Sequence, residues 1–240
     1  MQLQDLLFSQ GFGTRRVCAG LIQHGHVTVA GHTVTHADAE FIPLGLRYSV
    51  DGVDWEYHEK AYLMLHKPTG TECSRKPSAY PSILTLLPPP LRQRPNKGAV
   101  PGVQPVGRLD QDTTGLLLLT DDGQFIHRMS SPRRHVAKVY EVTARHAVED
   151  RQLERLLQGV TLEDDPRPVR AAACERAGDR QLRLTLTEGK YHQVKRMIAA
   201  VGNRVEALHR SRIGALVLPA DLSPGQWRWL GCADLAALDA

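Results

Sequence analysis

The chain has 240 residues, 42% of them hydrophobic and 23% charged, the balance of an ordinary folded protein with room for a large domain and a small module. No apolar run approaches the roughly 20 residues that span a bilayer, and residues 1–16 lack a basic start followed by an apolar stretch, so the expectation is a cytoplasmic protein without a signal peptide. Cys18, Cys73, Cys174 and Cys232 are scattered with no C-x-x-C pair, which argues against a disulfide framework or a zinc site.

Net charge is +4, unevenly placed. Residues 1–57 hold three basic side chains (Arg15, Arg16, Arg47) against six acidic ones, whereas residues 67–108 hold seven basic ones and one acid, Glu72. That excess suits a polyanionic partner, and equally a set of solvated basic loops.

In chain order, Leu3, Leu6 and Leu7 predict a helix over residues 2–10. Thr14 predicts the cap of a second helix running to about His24, with Val17, Leu21 and Ile22 inward and Gly25 as its stop. Residues 26–29 and 32–35 alternate about Ala30-Gly31 and predict a hairpin, with another strand over 47–50 and a domain boundary near 55–60. Tyr62-Leu63-Met64-Leu65 is an apolar strand ending at the turn Lys67-Pro68-Thr69-Gly70. Residues 74–103, rich in proline and basic side chains, read as a long loop with one helical turn near 83–87. Strands are predicted over 104–106, 116–120, 136–143, 169–175, 182–187, 205–213 and 226–230, and helices over 123–129, 148–157 and 192–201. Without regular β-α-β alternation, the fold class is α+β: a small N-terminal α/β module (1–57) and a larger domain (61–240) on a mixed, mainly antiparallel sheet flanked by helices. No G-x-G-x-x-G or Walker pattern supports a nucleotide cofactor.

Three segments could carry chemistry. Gly107-Arg108-Leu109-Asp110-Gln111-Asp112-Thr113-Thr114-Gly115 is a charged loop bracketed by predicted strands, where reactive side chains tend to sit. Asp110 and Asp112 are close enough to repel, which calls for a nearby cation; alone, the segment also reads as a polar turn with two solvated aspartates. Glu188-Gly189-Lys190-Tyr191-His192-Gln193-Val194-Lys195-Arg196-Met197 follows a strand and opens a helix. It could bind a phosphate or partner a carboxylate, or simply be a basic helix face with Val194, Met197 and Ile198 inward. Lys138-Val139-Tyr140 puts Lys138 and Tyr140 on one strand face, where the ring could stack on a base or sit in a core. Eleven histidines are present, but no H-E-x-x-H and no Cys/His cluster of zinc spacing, so no metal is expected.

Thr14-Arg15-Arg16, Ile22 and Gly25-His26-Val27-Thr28-Val29-Ala30-Gly31 resemble the RNA-binding domain first seen in ribosomal protein S four. The resemblance implies that Arg15, Arg16, His24 and His26 meet RNA, although Gln2 and Gln4 stand where that family usually begins with Arg and Asp. The three segments, with Lys67-Pro68-x-Gly70 and Leu208-His209-Arg210-x-Arg212-Ile213-Gly214, resemble the pseudouridine synthases along nearly the whole chain. Tyr191-His192-Gln193-Val194-Lys195-Arg196-Met197 is most similar to the branch acting on small-subunit (16S) ribosomal RNA; a large-subunit synthase and a non-catalytic RNA-binding or ribosome-assembly protein are the alternatives.

The resemblance implies a catalytic Asp110, a Tyr140 that stacks on the target uracil, and Lys195 as the cation paired with Asp110, with Arg196 competing for that role. RNA contacts are implied for Arg108, Lys67, Lys138, His192, Gln193, Arg196, Arg15 and Arg16. Residues 87–105 look longer and more basic than usual. Isomerising uridine breaks N1–C1′ and makes C5–C1′ with no redox change and no phosphate energy, so no cofactor is expected. The implied partner is ribosomal RNA or a partly assembled ribosomal subunit, met by a monomer.

Overall fold

Helix α1 (Leu3–Gln10) buries Leu3, Leu6 and Leu7 completely, the stripe that their spacing predicts. Thr14 caps α2 (Arg15–Gln23) by accepting from the Val17 amide. The inward face of α2 differs from expectation: Cys18 and Ile22, one turn apart, are fully buried, whereas Val17 falls off that stripe and is 50% exposed. The hairpin forms as β1 (Val27–Val29) and a short β2 (His32–Thr33). Strands β3 (Arg47–Val50) and β4 (Val53–Glu56) complete an antiparallel sheet of order β2-β1-β3-β4. The prediction lacked β4, although Asp51-Gly52, both at positive φ, is a tight-hairpin dipeptide.

The structure is a computed structural model that describes residues 1–96, 100–131, 134–162 and 165–238. It divides into two compact units. The first comprises Met1–Tyr62 with Leu87–Pro105 and Leu119–Phe125; the second comprises Leu63–Leu86, Val106–Leu118 and Ile126–Ala240. The first unit is therefore larger than the module read at residues 1–57. Its hydrophobic centre includes Leu3, Leu6, Leu7, Cys18, Ile22, Val27, Tyr48 and Val50.

The chain continues as β5 (Tyr62–Lys67), a 3-10 turn at Ile83–Leu86, α3 (Pro89–Gln93), β6 (Gln104–Pro105), β7 (Thr114–Thr120) and α4 (Gly123–Ser130). Next come β8 (Lys138–Ala144), α5 (Asp150–Gln158), β9 (Val160–Leu162), β10 (Asp165–Val169), β11 (Ala173–Gly178) and β12 (Gln181–Leu186). The last elements are α6 (Gln193–Ala200), β13 (Val205–Ile213), β14 (Leu216–Val217), β15 (Trp227–Trp229) and α7 (Cys232–Leu238). The long second sheet has the order β11-β12-β8-β13-β7-β5-β15, with β14 on β13 and β6 on β7. β13 and β7 run parallel, while β11–β12, β12–β8, β8–β13 and β15–β5 are antiparallel. Mixed and mainly antiparallel is the predicted class.

Two expectations change here. The single strand over 169–175 is two: β10 pairs with β9 and β11 with β12. Between them Ala171 donates to the Leu156 carbonyl and Ala172 to that of Thr185. The basic loop over 74–103 contains α3, and Arg94, just past it, is 2% exposed. Its Nε donates to Asp121 Oδ2 at 2.6 Å, Nη1 to Gln10 Oε1 at 2.8 Å and Nη2 to the His58 carbonyl at 2.6 Å. Arg94 is a cross-tie inside the first unit, and its charge is not offered to RNA. Lys97 of the same basic stretch, and Arg133 further along the chain, lie outside the described residues.

Candidate active site

The site is built on one face of three neighbouring strands of the second unit. Register pairs Tyr140 on β8 with Leu184 on β12 and with Arg210 on β13, and Lys138 with Leu186. Directly opposed residues share a face, so Lys138, Tyr140, Leu184, Leu186, Leu208 and Arg210 point one way. All but Leu184 line a cavity of about 500 Å³. The rest of the wall comes from the loop between β6 and β7, the segment before α6 with the first turn of that helix, the end of α4, and Glu72, Cys73 and Ser74.

The β6–β7 loop is fixed at both ends. Gly107 and Gly115 have φ of 73° and 110°, open to glycine and strained for other residues. A Cβ on Gly115 would fall on the Arg210 carbonyl oxygen, so β7 reaches β13 only because that atom is missing. Lys67 holds the loop from below. It is wholly buried, and its Nζ donates to the carbonyls of Pro68 (3.0 Å), Gln111 (3.3 Å) and Thr113 (3.0 Å). The Gly70 amide adds a bond to the Gln111 carbonyl at 2.8 Å. Burial pulls the Lys67 pKa below the usual lysine value. The expectation that Lys67 meets RNA is therefore corrected: Lys67-Pro68-x-Gly70 positions the aspartate loop.

Asp110 sits between two nitrogens. Lys195 Nζ is 3.0 Å from its Oδ2, and His192 Nε2 is 3.3 Å from its Oδ1. Lys195 also reaches Asp112 Oδ1 at 2.6 Å, which supplies the cation that two neighbouring aspartates require. Burial alone would depress the Lys195 pKa, but the bonds to Asp112 and Asp110 outweigh it and the value rises. Burial alone would likewise raise Asp112, but Lys195 outweighs it and holds that carboxyl low. The two carboxylates differ in access: Asp110 is 27% exposed and lines the cavity, whereas Asp112 is 52% exposed and does not. Arg196, the competing cation, instead donates Nη1 to the Tyr191 carbonyl at 3.0 Å.

His192 caps α6 in a left-handed backbone conformation, φ 48°. The exposed Tyr191 ring stacks on it with centroids 3.8 Å apart and planes at 20°. Gln193 is 5% exposed; its Oε1 accepts from the Lys190 amide at 2.7 Å and its Nε2 donates to Glu188 at 3.0 Å. Both ends of its amide thus tie the loop together, while the residue also lines the cavity. Val194, Met197 and Ile198 are buried as expected. Arg108 is exposed and lines the cavity.

In the first unit, Arg16 is exposed, while Arg15 is held by Asp5 at 2.7 Å and lies 4.3 Å over the Phe8 ring. His26 is paired with Asp51 at 2.6 Å, and His24 bonds its own helix at the Gly20 carbonyl. Among the described residues, no group of three or more His, Cys, Asp or Glu side chains could hold a metal ion.

Sequence reasoning missed Arg210 and Glu72. The signal for Arg210 lies in Leu208-His209-Arg210 on a predicted strand. Glu72 was read only as the lone acid of a basic stretch. Its carboxylate accepts from the Ala79, Tyr80 and Ser78 amides at 2.9, 3.0 and 3.0 Å and shapes the loop at the cavity edge. These amides, with Ala79 foremost, pull its pKa from 4.5 down to about 2. A depressed carboxyl contributes order that is complete above its unfolded value and lost as pH falls through the folded one. Amide exchange should therefore show Ser78–Tyr80 protected at pH 5 and released as pH approaches 2. Protection unchanged across that range would remove the role given to Glu72.

The chain is similar to known proteins along its length. Residues 61–200 match the family described as RNA pseudouridylate synthase, and residues 1–39 match the S4 domain. A protein of Escherichia coli (strain K12) named ribosomal small subunit pseudouridine synthase A is 40% identical over 236 residues, 98% of each chain. The protein of that name from Haemophilus influenzae is 37% identical over 235 residues, again 98% of each. A solved structure described as a crystal structure of pseudouridylate synthase is 34% identical, with a TM-score of 0.69 over 99% of both chains. An aspartate loop, a Lys-x-Tyr strand and a cation-bearing helix thus meet at one cavity inside a full-length match, and the chain belongs to the RNA pseudouridylate synthase family, with an S4 domain at its N-terminus.

Proposed function

We propose that the protein isomerises a uridine of small-subunit (16S) ribosomal RNA to pseudouridine, with Asp110 as the reacting carboxylate. The observation that carries this reading is the placement of Asp110, which lines the cavity between His192 and Lys195 while Asp112 stands outside. Tyr140, 8% exposed on the cavity wall, is the ring that stacks on the target base. The base reaches the cavity by leaving its stack. Asp110 then attacks C1′ or takes the 2′ proton, and both routes need its negative charge. Arg108, an exposed cation of the same cavity, contacts the backbone beside the target nucleotide, and Lys138 faces the nucleotide itself. The choice of small-subunit RNA follows the names of the relatives.

Residues 1–57 serve as the docking module, with Arg16 as an exposed cation on it. A cytoplasmic monomer acting on free ribosomal RNA or a partly assembled subunit, without metal or cofactor, completes the reading. Among the described residues no helix is long and apolar enough to cross a membrane. The test is incubation of purified protein with small- and large-subunit RNA, followed by pseudouridine mapping. Product at one small-subunit uridine is expected. Product only in large-subunit RNA would reassign the substrate, and none in either would point to an RNA-binding role without catalysis.

Binding should weaken steeply with salt. Each neutralised phosphate adds about 0.7–0.9 to the slope of log affinity against log salt. Arg16→Ala should lower that slope by about one such increment. Equal slopes for the variant and the parent protein would take Arg16 out of the docking surface.

A further inference from the structure

Among the described residues, two buried cations are fully answered. Lys67 is met by three carbonyls, and Arg94 by a carboxylate and three further acceptors. Lys138 and Arg210 are not. The half-buried Lys138 ammonium, which carries three donors, meets the Val136 carbonyl at 3.1 Å. Arg210 is 2% exposed; its Nε meets the Leu116 carbonyl at 2.8 Å, while its buried Nη2 has no partner. Among the described residues neither side chain has a carboxylate within ion-pair distance. They share a strand face with Tyr140, since Arg210 opposes Tyr140 across β13 and β8 and Lys138 lies two residues earlier on β8. Both line the cavity that holds Asp110.

Two unneutralised cations on one wall are unfavourable in the empty site and favourable once an anion arrives. Breaking N1–C1′ creates such an anion: the bonding pair stays on N1, and the charge spreads over N1, O2 and O4 of the base. C1′ is meanwhile held by the Asp110 carboxylate or relieved by loss of its 2′ proton. C5 then bonds to C1′ as the Asp110–C1′ bond breaks or as the abstracted proton returns to C2′; forming that bond discharges the base, and the C5 proton is then lost while N1 gains one. Resting on the proposed function, we propose that Lys138 and Arg210 stabilise the departing uracil anion, so that the wall carrying the stacking tyrosine also carries the counter-charge for the base. Burial, with the Arg210 charge behind it, pushes the Lys138 pKa down to about 8; this is the signature of an ammonium without its anion. The backbone phosphates are the other anions near the target. Flanking Tyr140 favours the base, because that ring marks where the base lies.

The test compares Lys138→Met and Lys138→Arg with the parent protein in single-turnover reactions at saturating RNA. The target nucleotide is either uridine or 5-fluorouridine, and loss of the starting nucleoside is the readout. Fluorine withdraws electrons and stabilises the anion by itself. Lys138→Met should react on the order of 10² times more slowly with uridine, the scale of losing one preorganised charge donor, while RNA affinity holds. The deficit should shrink with 5-fluorouridine, and Lys138→Arg should recover most of the rate. Equal deficits on both substrates would overturn the proposal. So would a loss confined to the dissociation constant, which would assign Lys138 to a phosphate. Asp110→Asn, run alongside, should be inactive on both substrates. A parent protein that forms no pseudouridine would overturn the proposed function itself, an outcome distinct from a flat response to fluorine.

Discussion

Asp110→Asn should yield a folded protein that binds RNA with parental affinity and forms no pseudouridine. The amide has the size of the carboxylate, so the loop pinned by Lys67 and Gly70 keeps its place. What is lost is the negative charge, which neither attack at C1′ nor removal of the 2′ proton can do without. A fall of roughly 10⁴-fold or more in the single-turnover rate is the scale of deleting an essential nucleophile or base. Asp112→Asn is the informative control. It shares Lys195 with Asp110 but stands outside the cavity, so it should retain most of the activity. Lys195→Met should fall between the two, because His192 remains on Asp110. Robust product from Asp110→Asn, with circular dichroism confirming its fold, would move the chemistry elsewhere, and Asp112 would be examined next.

The elements of the candidate site are legible because their residues are contiguous. Gly107-Arg108-Leu109-Asp110 and Lys138-Val139-Tyr140 can be read from a few letters, and strand alternation alone puts Lys138 and Tyr140 on one face. What the letters hide is exposure, which distant partners decide. Lys67, Arg94 and Arg16 look alike in a count of positive charge. Yet Lys67 is tied to Gln111 and Thr113, Arg94 to Gln10 and Asp121, and only Arg16 faces solvent. Arg196 competes with Lys195 on paper for the same reason: neighbours on a helix point about 100° apart, and it is the position of α6 against the aspartate loop that brings Lys195 to Asp110. Gln193 reads as polar and available until Glu188 and the Lys190 amide are seen to hold it. The loss of β4 and the inward placement of Val17 were different errors, since Asp51-Gly52 and the Cys18–Ile22 spacing were both visible.

Arg94→Met should be the most destabilising of the single substitutions considered, and its effect lies in the first unit. The guanidinium is 2% exposed and bonds Asp121, Gln10 and the His58 carbonyl, so its loss leaves the Asp121 carboxylate, 5% exposed, as an uncompensated buried charge. Removing one partner of such a pair costs about 3–5 kcal/mol. At about 2–4 °C per kcal/mol for a chain of this size, the melting temperature should drop by roughly 6–20 °C. The double variant Arg94→Met, Asp121→Leu separates the value of the pair from the penalty of orphaning one member. With both charges gone, much of the loss should return, because buried pairs are often replaceable by apolar side chains. Recovery should stop short of full, because Asp121 Oδ1 also accepts the Ala61 amide at 2.8 Å, and a buried amide left unpaired costs about 1–3 kcal/mol. Thermal unfolding followed by circular dichroism measures all three proteins. If Arg94→Met melts within a degree or two of the parent, water or a rearranged side chain is neutralising Asp121, and the Arg94–Asp121 pair does not hold the first unit together.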